Sequence, residues 1–202
     1  MDVISFDDDR ARRIIDEGNI LALPTETVYG LGVRWDSMPA YEKLCAAKNR
    51  RPSKPIAIMC GRNFAIENWL EVTPSSRKVI EKFLPGPLTI LLKAKKNVPF
   101  QAHLGTGIVG LRIPMKTDLL EFLDSLPYPL QVTSANISGF SATGDMDKVI
   151  SDFDGSVDVK AIVKGECVSN IPTTVVDMTG DRPVLIRQGE ILLDDIKKAT
   201  MN

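Results

Sequence analysis

The apolar residues of this chain come in short runs of four to six, and that punctuation limits the folds open to it. Ile20 to Leu23, Ile56 to Met59, Leu88 to Leu92, 108–113, 129–132, 158–163, 173–177 and 184–187 are each of strand length. No run of about eighteen apolar residues exists to cross a membrane. Helical spacing predicts helices over 7–18, 38–48, 63–70, 75–83 and 117–125. The first has Asp7, Asp8 and Asp9 at its positive end and Gly18 at its close. Helices and strands interleave irregularly, with several strand-to-strand connections late in the chain. That order predicts an α/β fold with a mixed, twisted sheet and flanking helices rather than a clean βαβ repeat. At 202 residues, one domain over 1–202 is expected, its core at about 8–190.

Charge is unevenly placed along a chain of net charge −1. Residues 1–100 hold 16 Lys/Arg against 12 Asp/Glu, and residues 101–202 hold 9 against 14. Within the positive half, Lys48, Arg50, Arg51 and Lys54 form a cationic knot with no acid among them, between a predicted helix and a core strand. Such a knot suits a bound polyanion, or a helix end whose dipole favours cations. The near-neutral total argues against coating nucleic acid by bulk charge. Three scattered cysteines, Cys45, Cys60 and Cys167, read as reduced packed thiols, and the lone His103 excludes a multi-histidine zinc site. No protein ligand set for a metal is expected. The acidic opening Met1-Asp2-Val3 is unlike a signal peptide, so a cytoplasmic protein is expected.

Polar residues gather at the ends of predicted strands. Pro24-Thr-Glu-Thr-Val-Tyr-Gly-Leu-Gly32 reads as a tight loop whose hydroxyls and amides either face a small ligand or satisfy their own backbone. Thr133, Ser134, Asn136 and Ser138 follow the strand 129–132, and ligands lodge at such strand ends in open α/β sheets. Arg187, after the apolar run of 184–186, reads from its position alone as a surface residue. The stretch 94–107 reads as a mobile loop. Gly105-Thr-Gly-Ile-Val-Gly110 fits the spacing of a dinucleotide fingerprint, but a strand-like Leu111-Arg-Ile-Pro114 follows it where a helix should open.

Taken in order, Pro24-Thr-Glu-Thr-Val-Tyr-Gly30, Lys48-x-Arg50, Pro85-Gly-Pro-Leu-Thr89, Val109-Gly-Leu-Arg-Ile-Pro114, Ser134-x-Asn136 with Ile137-Ser-Gly139, and Thr174-Val-Val-Asp177 resemble the YrdC/TsaC family of threonylcarbamoyl-AMP synthases. The likeness covers about 10 to 190. It implies a YrdC/RibB-like twisted sheet with a large concave basic cleft. It also implies joining L-threonine, bicarbonate and ATP into L-threonylcarbamoyl-AMP and pyrophosphate, a nucleotidyltransferase reaction that feeds tRNA modification. By resemblance, Lys48, Arg50, Ser134 and Asn136 are catalytic. Thr27, Arg112 and Thr173 bind L-threonine, and Arg50, Lys54, Ser134, Ser141 and Arg187 bind ATP, with Mg2+ on its phosphates. The resemblance so moves Arg187 from surface residue to ligand. Its implied partners are tRNA or double-stranded RNA and the proteins of the later transfer step, with no membrane.

The chain departs from many longer relatives at Lys54 and Met59, where they have Asn and a threonine-contacting His. Its run Arg50-Arg-Pro-Ser-Lys-Pro55 is closer to the YrdC-like domain of hydrogenase-maturation carbamoyltransferases and to the YciO branch. Two other readings therefore stand beside the synthase: a YciO-type module that binds RNA or nucleotide without chemistry, and carbamoyl-adenylate chemistry on another acceptor.

Overall fold

A computed structural model describes residues 1–52 and 54–201. In chain order the elements are β1 Asp2–Ile4, α1 Asp9–Asp16, β2 Ile20–Pro24, β3 Tyr29–Arg34, α2 Met38–Ala47, β4 Ile58–Met59, α3 Ile66–Trp69, β5 Leu70–Glu71 and α4 Pro74–Phe83. They continue with β6 Leu88–Ala94, α5 Phe100–His103, β7 Ile108–Arg112, α6 Thr117–Ser125, β8 Leu130–Ser134, α7 Met146–Asp152, β9 Val159–Val163, β10 Thr174–Asp177, β11 Val184–Arg187 and α8 Leu193–Met201. One sheet runs β1-β9-β2-β3-β8-β4-β7-β6-β10-β11, with β5 hung on β6. Parallel pairs (β1 with β9, β2 with β9, β4 with β7, β6 with β10) alternate irregularly with antiparallel ones, so the sheet is mixed as its sequence order implies.

Local signals account for many boundaries. Asp8 caps α1 through Arg10 N, Ser37 caps α2 through Ala40 N with proline in the first turn, and Thr73 and Ser76 close a capping box on α4. Each side chain satisfies amides that the first helical turn leaves without partners. The helices lay apolar faces on the sheet, and residues such as Ile15, Leu21, Tyr29, Leu44, Ile58, Leu88 and Leu111 are fully buried. Among the described residues no helix is long and apolar enough to cross a membrane. All three cysteines are free thiols, Cys45 and Cys60 buried and Cys167 half-buried.

The segment read as a tight loop from Pro24 to Gly32 is instead a hairpin, with only Thr25 to Val28 in the turn. Gly30 and Gly32 lie inside β3, where they serve close packing: a Cβ on Gly30 would come within 2.7 Å of Val132 Cγ1, and one on Gly32 within 3.1 Å of Leu23 Cδ2. The stretch 94–107, expected as a mobile loop, contains α5 and is anchored by buried Val98, Gln101 and Ala102. The main-chain carbonyl of Gln101 accepts a hydrogen bond of 3.0 Å from Gln131 Nε2. Glycines at positive φ, Gly105 and Gly107, turn the chain into β7, and no helix opens there. The strand at 56–59 shrinks to two residues and the helix at 63–70 to four. Sequence periodicity misses β1, β5, α7 and α8, which are short or polar and owe their form to tertiary partners.

Candidate active site

A cavity of about 530 Å³ opens where the β2–β3 turn, the approach to β4, the face of β6 and β7, the end of β8 and the β10–β11 pair converge. Its wall carries Arg50, Lys54, Arg112 and Arg187 and, among the described residues, no Asp or Glu. Four cations around one concave space concentrate positive potential there, although the whole chain is near neutral. The cations that line this cavity are scattered over 138 positions, from Arg50 to Arg187.

Arg112 ends β7 beside Met59 of β4. One of its terminal nitrogens donates to Glu26 Oε1 at 2.8 Å, Thr27 Oγ1 at 3.1 Å and Thr25 Oγ1 at 3.2 Å. Thr25 organises that turn: its hydroxyl accepts from Thr27 N and Val28 N and donates to Val28 O. Such side-chain bonds fix a turn that the backbone alone would leave loose. The Tyr29 hydroxyl donates to Gly165 O at 2.7 Å, and burial pushes its pKa up to about 12, so it stays a neutral donor. Across the cavity Arg187 donates to Thr173 O through Nε and to Thr173 Oγ1 through a terminal nitrogen, both at 3.0 Å. Thr173 Oγ1 in turn shares a 2.9 Å hydrogen bond with Thr89 Oγ1. Burial, and then the like charge of Arg112, lowers the Arg187 pKa.

Arg50 braces the cationic knot by donating to Lys54 O at 3.0 Å. The Nε atoms of Arg50 and Arg112 are buried and have no protein acceptor. Buried donors are nearly always paired, and both of these belong to side chains on the cavity wall.

Lys48, two residues from Arg50, takes a different position. It is 3% exposed and lies behind the cavity wall. Its ammonium donates to Ser134 O and, at 2.6 Å, to Asn136 O, while its own carbonyl accepts from Ser138 N at 2.8 Å. Burial, with the charge of Arg50 adding, draws its pKa down to about 8. Helix α2 ends at Lys48, and Asn49 then turns through a left-handed conformation, φ 51°, with Lys48 buried before it and Arg50 on the cavity wall after it. Lys48 thus meets the loop that follows β8 and is not among the residues that line the cavity.

Ser134 is on the wall and donates to Asn136 Oδ1 at 2.5 Å. Asn136 sits one layer behind, its amide nitrogen spent on Ile137 O and Phe140 O. Thr27, Lys54, Met59, Arg112, Thr173 and Arg187 are all on the wall; Ser141 is exposed and off it. The structure adds Thr25, Glu26 and Thr89. Thr89 was visible as a polar residue inside an apolar strand, whereas nothing local marked Glu26 as the partner of Arg112. Among the described residues no group of three or more His, Cys, Asp or Glu could hold a metal ion.

Residues 13–189 match the Sua5/YciO/YrdC family, described as telomere recombination. The chain is 33% identical over 189 residues to the threonylcarbamoyl-AMP synthase of Pyrococcus abyssi, and 30% identical over 191 residues to that of Bacillus subtilis. Each match takes in 93% of this chain and 55% of the relative, so the chain spans about half the length of these proteins. The crystal structure of P. abyssi Sua5 complexed with L-threonine superposes with a TM-score of 0.87 at 32% identity, over 94% of this chain and 56% of that one.

Proposed function

The chain belongs to the Sua5/YciO/YrdC family, and on that premise we propose that it is an L-threonylcarbamoyl-AMP synthase. The observation that carries this reading is the cavity wall of four cations, no carboxylate and two buried arginine Nε donors without a partner. The proposed reactants are an amino acid carboxylate, bicarbonate and a nucleoside triphosphate, which repel one another in water. A site that gathers them must supply positive charge before they meet.

In the first step the threonine amine, as the free base, attacks the bicarbonate carbon. A C–N bond forms, water leaves and the nitrogen gives up a proton, which yields a carbamate. A carbamate oxygen then attacks the α-phosphorus of ATP. An O–P bond forms as the bond from that phosphorus to the bridging oxygen breaks, and pyrophosphate leaves with the electron pair. Arg112 takes the threonine carboxylate through its unused donors, with Thr27 and Thr173 beside the acceptor. Arg50 and Lys54 face the phosphates, which carry Mg2+ as part of the substrate, and Arg187 and Ser134 face the nucleotide. Asn136 and Lys48 act from behind by fixing Ser134. Oriented donors of this kind stabilise charge that develops only at the transition state, with little reorganisation. The product would be consumed in the cytoplasm by the proteins that transfer the threonylcarbamoyl group to tRNA.

The test is pyrophosphate release from Mg-ATP with L-threonine and bicarbonate each present or withheld. Release that needs both establishes the synthase. Release with bicarbonate and a different acceptor, but not with threonine, would move the chemistry to that acceptor. No release from folded protein that binds ATP or RNA would leave a binding module.

A further inference from the structure

The pairing of Arg112 with Glu26 is incomplete in a way that points to the acceptor. Both side chains are buried, 11% and 9% exposed, and they meet at 2.8 Å. A guanidinium and a carboxylate usually pair through two parallel hydrogen bonds. Here a single terminal nitrogen meets a single oxygen, and both Glu26 Oε2 and Arg112 Nε remain buried without a partner. Arg112 also lines the cavity, so the pair leaves guanidinium donors unspent at its wall. The Glu26 main chain is held in turn, its carbonyl accepting from Val168 N and Ser169 N at 3.2 and 3.1 Å. Among the described residues Glu26 is the one acid ion-paired to a cation of the cavity wall.

Resting on the synthase reading, we propose that Glu26 is a positioning and specificity residue for the acceptor amino acid. It grips Arg112 from behind, together with Thr25 and Thr27, so that the remaining donors stay aimed at one carboxylate. It also cancels one of the positive charges at this end of the cavity. An acceptor with a neutral side chain then binds through its α-carboxylate, while an acidic side chain of similar size meets the Glu26 charge. Discrimination by a like charge placed near a site is a common means of specificity.

The experiment compares wild type and Glu26→Gln in steady-state pyrophosphate release, varying L-threonine, ATP and, as an alternative acceptor, L-aspartate. Glutamine keeps an acceptor for Arg112 and removes the charge, so the variant is the one most apt to fold; its melting temperature and ATP affinity report that it has. The expected result is a threonine KM raised roughly tenfold, the size of one charged hydrogen-bond contact, with the ATP KM within about twofold of wild type. The ratio of kcat/KM for L-aspartate to that for L-threonine should rise by a similar factor. A purely structural role would move the threonine and ATP constants together and leave the acceptor ratio alone, and that outcome overturns the proposal. So does a variant with unchanged constants. Wild-type protein without threonine-dependent release overturns the synthase reading and this inference with it, and it is recognised without any variant.

Discussion

Two cavities of similar size sit at opposite ends of β3 and β8. The first, about 530 Å³, meets the start of β3 and the end of β8 and carries four cations on its wall, of which Arg112 alone has a carboxylate partner among the described residues. The second, about 500 Å³, lies beyond the end of β3 and before the start of β8, among Trp35, Phe64, Trp69 and Tyr128. Its acids are matched within the protein. Asp36 pairs with Arg34 and Asp124 with Arg62, each at 2.6 Å, and the Arg34 guanidinium lies 4.4 Å over the Tyr128 ring. The hydrogen bond from Arg34 holds the Asp36 carboxyl below its usual range. Its aromatic rings also satisfy one another: Trp35 meets Trp69 edge-on at 4.9 Å and Phe64 at 6.0 Å. Volume therefore does not separate a binding site from a packing defect. The separating feature is unspent charge, which the first cavity keeps and the second has paired off.

If the second cavity is part of the core, its residues should govern stability and leave chemistry alone. Trp35→Ala is expected to cost about 3–5 kcal/mol of unfolding free energy, as large-to-small core changes do, measured by urea denaturation. The folded fraction should keep wild-type KM values. A fall in threonine-dependent turnover without a fall in stability would erase the distinction between the two ends.

The converse holds for Arg50, which spends one nitrogen on the chain and keeps Nε free. Arg50→Ala should lower kcat on the order of 10²–10³-fold, equivalent to about 2.7–4 kcal/mol of transition-state stabilisation. Its denaturation midpoint should stay close to that of wild type. A variant that loses stability but keeps turnover would make Arg50 a brace and remove it from the chemistry.

Lys48 sharpens the comparison because it lies beside the first cavity yet is spent like the residues of the second. Its pKa, about 8 in the fold, is below the ordinary 10.5. Below the lower value both states carry the proton and the burial penalty is present in full. Between the two values the unfolded chain binds more protons, so this group makes stability rise with pH, by at most about 1.4 kcal/mol per pH unit. Urea midpoints across that window should climb in wild type relative to Lys48→Met. Parallel pH profiles would show that Lys48 is not titrating in the fold.

Much of the architecture was legible in the residues because the signals are local. Helical spacing and the strand-length apolar runs give α2, α4, β2, β6 and β8 close to their observed bounds. Glycine misled at Gly30 and Gly32. It reads as a turn former, and here it makes room for Val132 and Leu23 across the sheet. Most of the candidate site was legible too, through short motifs in a fixed order. Motif membership did not say which residues touch the cavity: Arg50 and Ser134 do, while their motif partners Lys48 and Asn136 stand behind them.

By itself the sequence determined a mixed α/β fold, the basic character of its first half and the set of polar residues at the strand ends. Only the tertiary structure decided how these charges are used. Lys48 finds its acceptor 86 residues away at Ser134, and Arg112 finds Glu26 at the same separation. A cation's role depends on whether a buried partner already satisfies it. That partner is supplied by sheet register and helix ends, which no local pattern of residues encodes.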